Sequence, residues 1–297
     1  EPNLNDRSIY WPRGKVLGGS SAINAMVYVR GHQQDYAEWN AVAPGWSWAD
    51  VEPLFRRIEQ WQGPERPERG SDGPVGVTDV SANIHPITKA YLRAAKEAGI
   101  PLNDDYNIDS MNGAATFQIT TKNGLRASTA NAYLKPAAKR QTLTIATDAL
   151  VTRIRFDGRV ATGVDYISGD KTRIATATKE IILCGGAINS PQLLQLSGIG
   201  PAPLLRKMGI EVIMDQPHVG RNLIDHLGFE LTYRAMVPTL NQLLRPLWGK
   251  AWVGLQFLLG RNGPLSMSLN QAGGFVRLDQ GEGPPDLQLY FNPMSYR

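Results

Sequence analysis

At 297 residues with 42% hydrophobic side chains, the chain can bury a large core and suits one large or two modest domains. Its formal charge of +4 comes from scattered Lys and Arg, and no basic block interleaved with aromatics points to nucleic acid. The single cysteine, Cys184, excludes an internal disulfide and a cysteine-based metal cluster; in the apolar run Ile181–Cys184 it reads as a buried strand residue.

The opening, Glu1-Pro2-Asn3, shows no signal-peptide pattern. Gly14–Trp39 follows, and the chain is organised around it. The pair Gly18-Gly19 precedes two hydroxyls, Ser20 and Ser21, and then Asn24-Ala25-Met26-Val27. Glycines let backbone N–H groups approach an anion closely, and serines add donors. The run Ala22–Val29 is apolar enough to anchor this loop as a buried helix or extended segment. Ser47, with Asp50 at the capping-box position, predicts a helix through Phe55 and Ile58. The Gly-, Pro- and charge-rich stretch Gln62–Gly76 reads as a loop. His85–Gly99 has helical spacing and a C-cap glycine. Asp104–Gly113 is turn-rich, and Phe117–Thr121 reads as a strand.

From residue 143 the period changes. Leu143–Thr147, Val151–Phe156 and Gly163–Ile167 read as a three-stranded meander with turns at Asp157-Gly158 and Ser168-Gly169-Asp170. Glu180–Leu183 reads as a strand running into Gly185-Gly186 and a helix over Pro191–Leu196. Pro203–Met208 predicts a short helix and Val212–Met214 a strand. Phe229–Arg234, Gly274–Leu278 and Leu287–Phe291 alternate or run apolar as strands do. Between them Leu244, Trp248, Trp252, Leu255 and Leu259 suit one face of a core helix. Arg245, Pro246, Lys250 and Gln256 break this stretch, so it falls short of the roughly 20 apolar residues of a membrane span.

Gly14–Trp39 resembles the first signature of the glucose–methanol–choline oxidoreductases, flavoprotein alcohol oxidases and dehydrogenases. Gly186–Pro191, continuing through Gln192–Gly200, resembles the second. Gly124-Leu125-Arg126-Ala127-Ser128-Thr129 and Val219–His226 are similar to further stretches of that family, and the likeness covers essentially the whole chain.

The resemblance implies an α/β fold: a dinucleotide-fold FAD-binding domain over 1–75 and 120–228, incomplete, interleaved with an antiparallel-sheet substrate domain over 76–119 and 229–297. It implies FAD contacts at Val16, Gly18, Gly19 and Ser20, near the pyrophosphate or flavin. Asn24, Ala25, Met26 and Val27 would lie at the isoalloxazine ring, and the backbone of Val151 at the adenine. Some members attach the flavin through a His one residue before the Asn of the first signature. Ile23 occupies that position here, so the flavin is expected to be non-covalent.

The chemistry implied is oxidation of a primary alcohol, choline among the candidates, to an aldehyde, with hydride moving to flavin N5 and a His base taking the hydroxyl proton. The electron acceptor would be oxygen or a quinone-linked carrier. None of His32, His85, His218 and His226 matches the family's catalytic position. The catalytic His and its His or Asn neighbour are expected past residue 297, and the glycine fingerprint upstream of residue 1. The chain therefore reads as an interior fragment, inactive alone, of an enzyme that is cytoplasmic or peripheral at the inner membrane. Two rivals stand beside this reading. A hydrolase would want Gly-x-Ser-x-Gly or His-Glu-x-x-His, and neither occurs. A non-catalytic flavin-binding module would lack the downstream histidine.

Overall fold

The computed structural model describes residues 5–108, 110–279 and 283–295. The chain divides into two compact units, Glu1–Leu143 with Thr232–Arg297, and Thr144–Leu231.

In the first unit, local sequence signals become elements with little change. Trp48–Ile58 is a helix whose N-terminus is closed by a capping box: Asp50 N–H donates to Ser47 Oγ at 3.4 Å and Ser47 N–H to Asp50 Oδ2 at 3.0 Å. A shorter helix, Gln33–Val42, precedes it, and its Tyr36 ring lies 5.6 Å from Trp48 and 6.1 Å from Phe55. The helix expected over 85–99 runs Pro86–Glu97, with His85 as N-cap and Gly99, at φ 85°, just beyond its end.

The unit's main sheet has three antiparallel strands in the order Leu287–Phe291, Ala272–Val276, Gly113–Thr116, pairing Ala272 with both Phe291 and Thr116. The two later strands fall where the alternation placed them. The earlier one lies at 113–116 rather than 117–121. Beyond Thr116 the chain leaves the ladder because Ile119 bridges Val27 and Thr78 instead. Two apolar clusters fill the space behind: Tyr106, Ala115, Phe117 and Phe275, and Met26, Val80, Ile84, Ile119 and Met267. Gly273 is dictated by the first cluster. A Cβ there would sit 1.9 Å from Leu289 O and 2.4 Å from the Phe117 ring.

The Trp-rich segment is a helix, Leu247–Gly260, but its apolar spacing does not mark a core face. Its inward side is Gly249 and Val253, while Trp248 and Trp252 are 72% and 53% exposed. Gly249 lets the helix approach the preceding turn, since a Cβ there would meet Leu243 O at 1.8 Å. Among the described residues, no helix is long and apolar enough to cross a membrane. The expected strand Phe229–Arg234 forms no ladder, and Phe229, Leu231 and Tyr233 are exposed.

The second unit carries the meander, one strand later than the reading placed it: Ala149–Asp157, Val160–Ser168 and Lys171–Thr176. Both hairpin turns are where expected, at Gly158 and Gly169, with φ 56° and 60°. Leu143–Thr147 stays outside because Asp148 takes a left-handed conformation, φ 52°, and breaks the run. The helix Gly186–Leu196 joins the first meander strand through Ser197, whose Oγ accepts from Ile154 N–H at 2.8 Å. Glu180–Leu183 pairs with no strand among the described residues, so Ile182 and Cys184 are exposed rather than buried. The short helix Ala202–Lys207 and a parallel pair, Ile199-Gly200 with Met214-Asp215, complete the unit. The stretch Pro293-Met294-Ser295-Tyr296-Arg297 also reads as strand-like, and its residues 296–297 lie outside the described residues.

Candidate functional site

The glycine loop folds tightly upon itself. Gly18 and Gly19 have φ 92° and 54°, and a short 3-10 turn, Gly19–Ala22, follows. A Cβ on Gly14 would lie 2.2 Å from Gly19 O, so the loop closes only with glycine there. Gly19 itself faces open space, with nothing within 4 Å of a Cβ position. Ser20 Oγ accepts from Gly14 N–H at 3.2 Å, and Ser21 Oγ donates to Gly18 O at 2.6 Å. Val16 is more than half exposed.

The turn Gly124–Thr129 grips this loop from the side. Thr129 N–H donates to Ser21 Oγ at 3.0 Å and Thr129 Oγ1 to Gly18 O at 3.2 Å. Arg126 reaches further. Its Nη1 donates to Asn24 Oδ1 at 2.7 Å, Asn24 O at 2.8 Å and Ser21 O at 3.2 Å.

Next comes the segment Asn24–Val27. The expected buried run 22–29 is not uniform: Ile23, Asn24 and Ala25 are exposed, Met26 is buried, and Val27–Arg30 runs extended. The reversal falls at Met26, whose φ of 64° turns the chain from surface to core. Asn24, Ala25, Met26 and Val27 line an open cavity of about 280 Å³ together with Asn270 and Tyr290. The walls are joined by Ser268, 243 residues away in sequence, whose Oγ donates to Ala25 O at 2.6 Å. The half-exposed Tyr290 phenol is a proton-bearing donor at neutral pH, as any phenol is, and partial burial raises its pKa further. Sequence reasoning missed Asn270 and Tyr290. Both lie in plain strand or strand-flanking positions, and only the sheet pairing brings them to the first signature.

Behind the wall lies a closed ring of buried charge. Arg30 Nη2 donates to Glu59 Oε2 (2.7 Å), Arg69 Nη2 to Glu59 Oε1 (2.6 Å) and Arg69 Nη1 to Asp105 Oδ1 (3.1 Å). Gln118 Nε2 donates to Asp105 Oδ1 and Asn107 Nδ2 to Gln118 Oε1, each at 2.8 Å, and Arg30 N–H returns to Asn107 Oδ1 at 2.6 Å. Two buried cations and two buried carboxylates offset one another, with the partly exposed Arg66 3.9 Å from Asp105. The ring fixes the strand leaving the cavity, because Tyr28 O accepts from Tyr106 Oη at 3.0 Å and Asn107 Nδ2 at 3.2 Å.

Val151 lies on the first meander strand of the second unit. His32 and His85 are helix N-caps, each Nδ1 accepting a backbone N–H at 3.2 Å. His226 is exposed and 3.8 Å from Asp225. A larger groove of about 500 Å³ runs beside the Trp-rich helix, lined by Trp248, Ala251, Trp252 and Leu255. It offers no polar side chain to orient a reacting group, so the smaller cavity is the better candidate.

Comparison with known proteins shows the family and the fold. A family model described as GMC oxidoreductase matches residues 2–228. The chain is 42% identical over 295 residues to mitochondrial choline dehydrogenase of Mus musculus, covering 99% of this chain and 49% of that protein. It is 42% identical over 296 residues to oxygen-dependent choline dehydrogenase of Rhizobium etli, covering 99% and 54%. A solved pyridoxine 4-oxidase from Mesorbium loti matches with a TM-score of 0.83 at 28% identity, over 97% of this chain and 53% of that one. An FAD-dependent oxidoreductase from Chaetomium thermophilum matches with a TM-score of 0.83 at 32% identity, over 92% and 50%. The chain thus spans about half the length of the curated relatives it matches. Its fold is the α/β FAD-binding fold of these oxidoreductases, with an antiparallel sheet assembled from distant segments. The chain belongs to the GMC (glucose–methanol–choline) oxidoreductase family.

Proposed function

We propose that the protein carrying this chain is an FAD-dependent oxidoreductase that oxidises the CH–OH group of a primary alcohol to an aldehyde. The observation that carries the reading is the meeting of Asn24–Val27 with Asn270 and Tyr290 around one small cavity beside the glycine loop. At about 280 Å³ it lies just under the ~300–1,000 Å³ of pockets for drug-sized ligands. That volume suits a small alcohol against a ring edge and not a whole dinucleotide.

The residues present fit the flavin's near side. Gly19 leaves its backbone bare and opens outward, Gly18 packs against Ala130, and Ser20 adds a hydroxyl. We assign Val16, Gly18, Gly19 and Ser20 to the pyrophosphate and flavin edge, Asn24–Val27 to the ring, and Val151 to the adenine. Ile23 has no nucleophilic atom, so attachment is non-covalent. When bound, FAD supplies the two-electron oxidant for the alcohol carbon.

This chain's part is orientation. Tyr290, a phenol protonated at neutral pH, and Asn270 are the polar side chains that line the cavity beside Asn24–Val27 and are available to hold an alcohol oxygen. The lining holds no carboxylate or imidazole, so the base that takes the hydroxyl proton comes from outside these six residues. The division into FAD-binding parts 1–75 and 120–228 and substrate parts 76–119 and 229–297 is part of the proposal, and it cuts across the two compact units. Gly18–Val27 falls in the FAD-binding parts, and Asn270 and Tyr290 in the substrate parts.

Two curated relatives are choline dehydrogenases, one of them oxygen-dependent. Choline is therefore the first alcohol to test, and oxygen and a quinone analogue the first acceptors. The test is anaerobic bleaching of the protein's flavin absorbance by a panel of primary alcohols. Bleaching by at least one is expected. A flavin that no alcohol reduces overturns the alcohol reading, and a protein with no flavin overturns the cofactor reading as well.

A further inference from the structure

We propose that Arg126 is a positioning residue: through Asn24 it fixes the left-handed turn at Met26 and so sets how the Ala25–Val27 backbone faces the cavity. For a side chain larger than glycine, φ near 64° is uncommon and strained, and it persists only where the surroundings over-determine it. Here they do. Met26 N–H donates to Asn24 Oδ1 at 3.1 Å, Ala25 O accepts from Ser268 Oγ, and Met26 O accepts from Thr120 N–H at 2.7 Å and Thr120 Oγ1 at 3.2 Å.

The link that needs a second residue is Asn24. It is exposed, and without a partner its side chain is free to rotate away from Met26. Arg126 Nη1 holds both ends of that residue at once, Oδ1 at 2.7 Å and the main-chain O at 2.8 Å. A charged donor on an amide oxygen makes the stronger class of hydrogen bond. Of the cavity lining, Asn24 is the residue that receives hydrogen bonds from Arg126, which therefore acts through it. The placement also gives the turn Gly124–Thr129 a function: it locks the first signature in its working shape.

The conformational penalty for a non-glycine residue in this region corresponds to a population change of about 5- to 150-fold. Removing Arg126 is expected to shift Met26 toward negative φ by a factor in that range. Glycine at position 26 takes the left-handed turn at little cost, so it should make the turn independent of the clamp.

The experiment compares Arg126→Ala, Arg126→Lys, Asn24→Ala and the double variant Arg126→Ala/Met26→Gly. Crystal structures give φ at residue 26, and FAD affinity and kcat/KM are measured with the alcohol that bleaches the wild type best. Arg126→Ala and Asn24→Ala are expected to lose the positive φ and to lower kcat/KM about tenfold or more. Arg126→Lys, which can aim three N–H bonds from one nitrogen, should keep both. The double variant should regain the positive φ at residue 26; its activity is not used as a readout, because Met26 is buried and lines the cavity. A positive φ retained in Arg126→Ala, or no recovery in the double variant, overturns the proposal. Should Arg126→Ala fail to fold, Asn24→Ala carries the same two readings. Only the activity readout rests on the flavin reading; φ at residue 26 is measured without FAD, so either idea can fail alone.

Discussion

Arg69 meets Glu59 at 2.6 Å with both side chains almost wholly buried, and its guanidinium also lies 4.1 Å over the Trp61 ring. Glu59 is shared with Arg30 at 2.7 Å, so one carboxylate holds two buried cations. Neutralising it strands Arg30, whereas Arg69 keeps Asp105 at 3.1 Å. Breaking a buried pair from one side costs about 3–5 kcal/mol, because the remaining charge keeps its desolvation penalty. Glu59→Gln is therefore expected to lower stability by about that amount. Urea unfolding at neutral pH reads it, and a loss below about 1 kcal/mol would show that the ring is not a structural unit.

Two glycines of the first unit should respond to alanine with opposite signs. At Gly273 a Cβ would strike Leu289 O at 1.9 Å, and backbone cannot step aside as a flexible side chain can. Gly273→Ala should cost at least the ~1–3 kcal/mol of overpacking. Gly254 lies inside the helix Leu247–Gly260 with nothing within 4 Å of a Cβ. Gly254→Ala should stabilise by about 0.5–1 kcal/mol through helix propensity. Melting temperatures of the pair check both signs.

What was legible in the sequence was local. Ser47 with Asp50, His85 with Gly99, and the turns at Gly158 and Gly169 each carry their structure in a few adjacent residues. The errors were all questions of partnership. Leu143–Thr147, Glu180–Leu183 and Phe229–Arg234 have strand composition, but a strand exists only when another lies beside it, and no period reports that. Trp248 and Trp252 show the same limit on a helix, where spacing identified a face but not the side on which the body lies. At the candidate site the first signature was readable because its glycines and polar groups are contiguous. Asn270 and Tyr290 join it only through the pairing of Ala272–Val276 with Leu287–Phe291 and the bond from Ser268 to Ala25.

Tyr106 should make the fold sensitive to strong base. Burial pushes its phenol well above the ordinary value, while its Oη accepts from Gln118 N–H at 2.8 Å and donates to Tyr28 O at 3.0 Å. Above the unfolded value of about 10, the unfolded chain releases this proton and the folded chain keeps it. Fewer protons on the unfolded state means that stability falls with rising pH, by up to about 1.4 kcal/mol per unit for one such group. Unfolding free energies at about pH 9 and pH 11 are expected to show the decline, and Tyr106→Phe, although destabilised by its lost bonds, should show a shallower one.

His85 should give the opposite dependence at mildly acid pH. Its Nδ1 accepts from Ile87 N–H at 3.2 Å and caps the helix Pro86–Glu97, which only a neutral ring can do. Burial lowers its pKa, and a cation would also be unfavourable at the positive end of a helix. With the folded value below the unfolded one, the unfolded chain takes up the proton first as pH falls. The cap's contribution is thus present above about pH 6.5 and lost as pH drops through that region. His85→Asn supplies a capping oxygen that does not titrate. Thermal scans at about pH 7.5 and pH 5.5 should therefore show the variant gaining on the wild type at the lower pH. Melting temperatures that move in parallel would mean that the imidazole is not the group that responds.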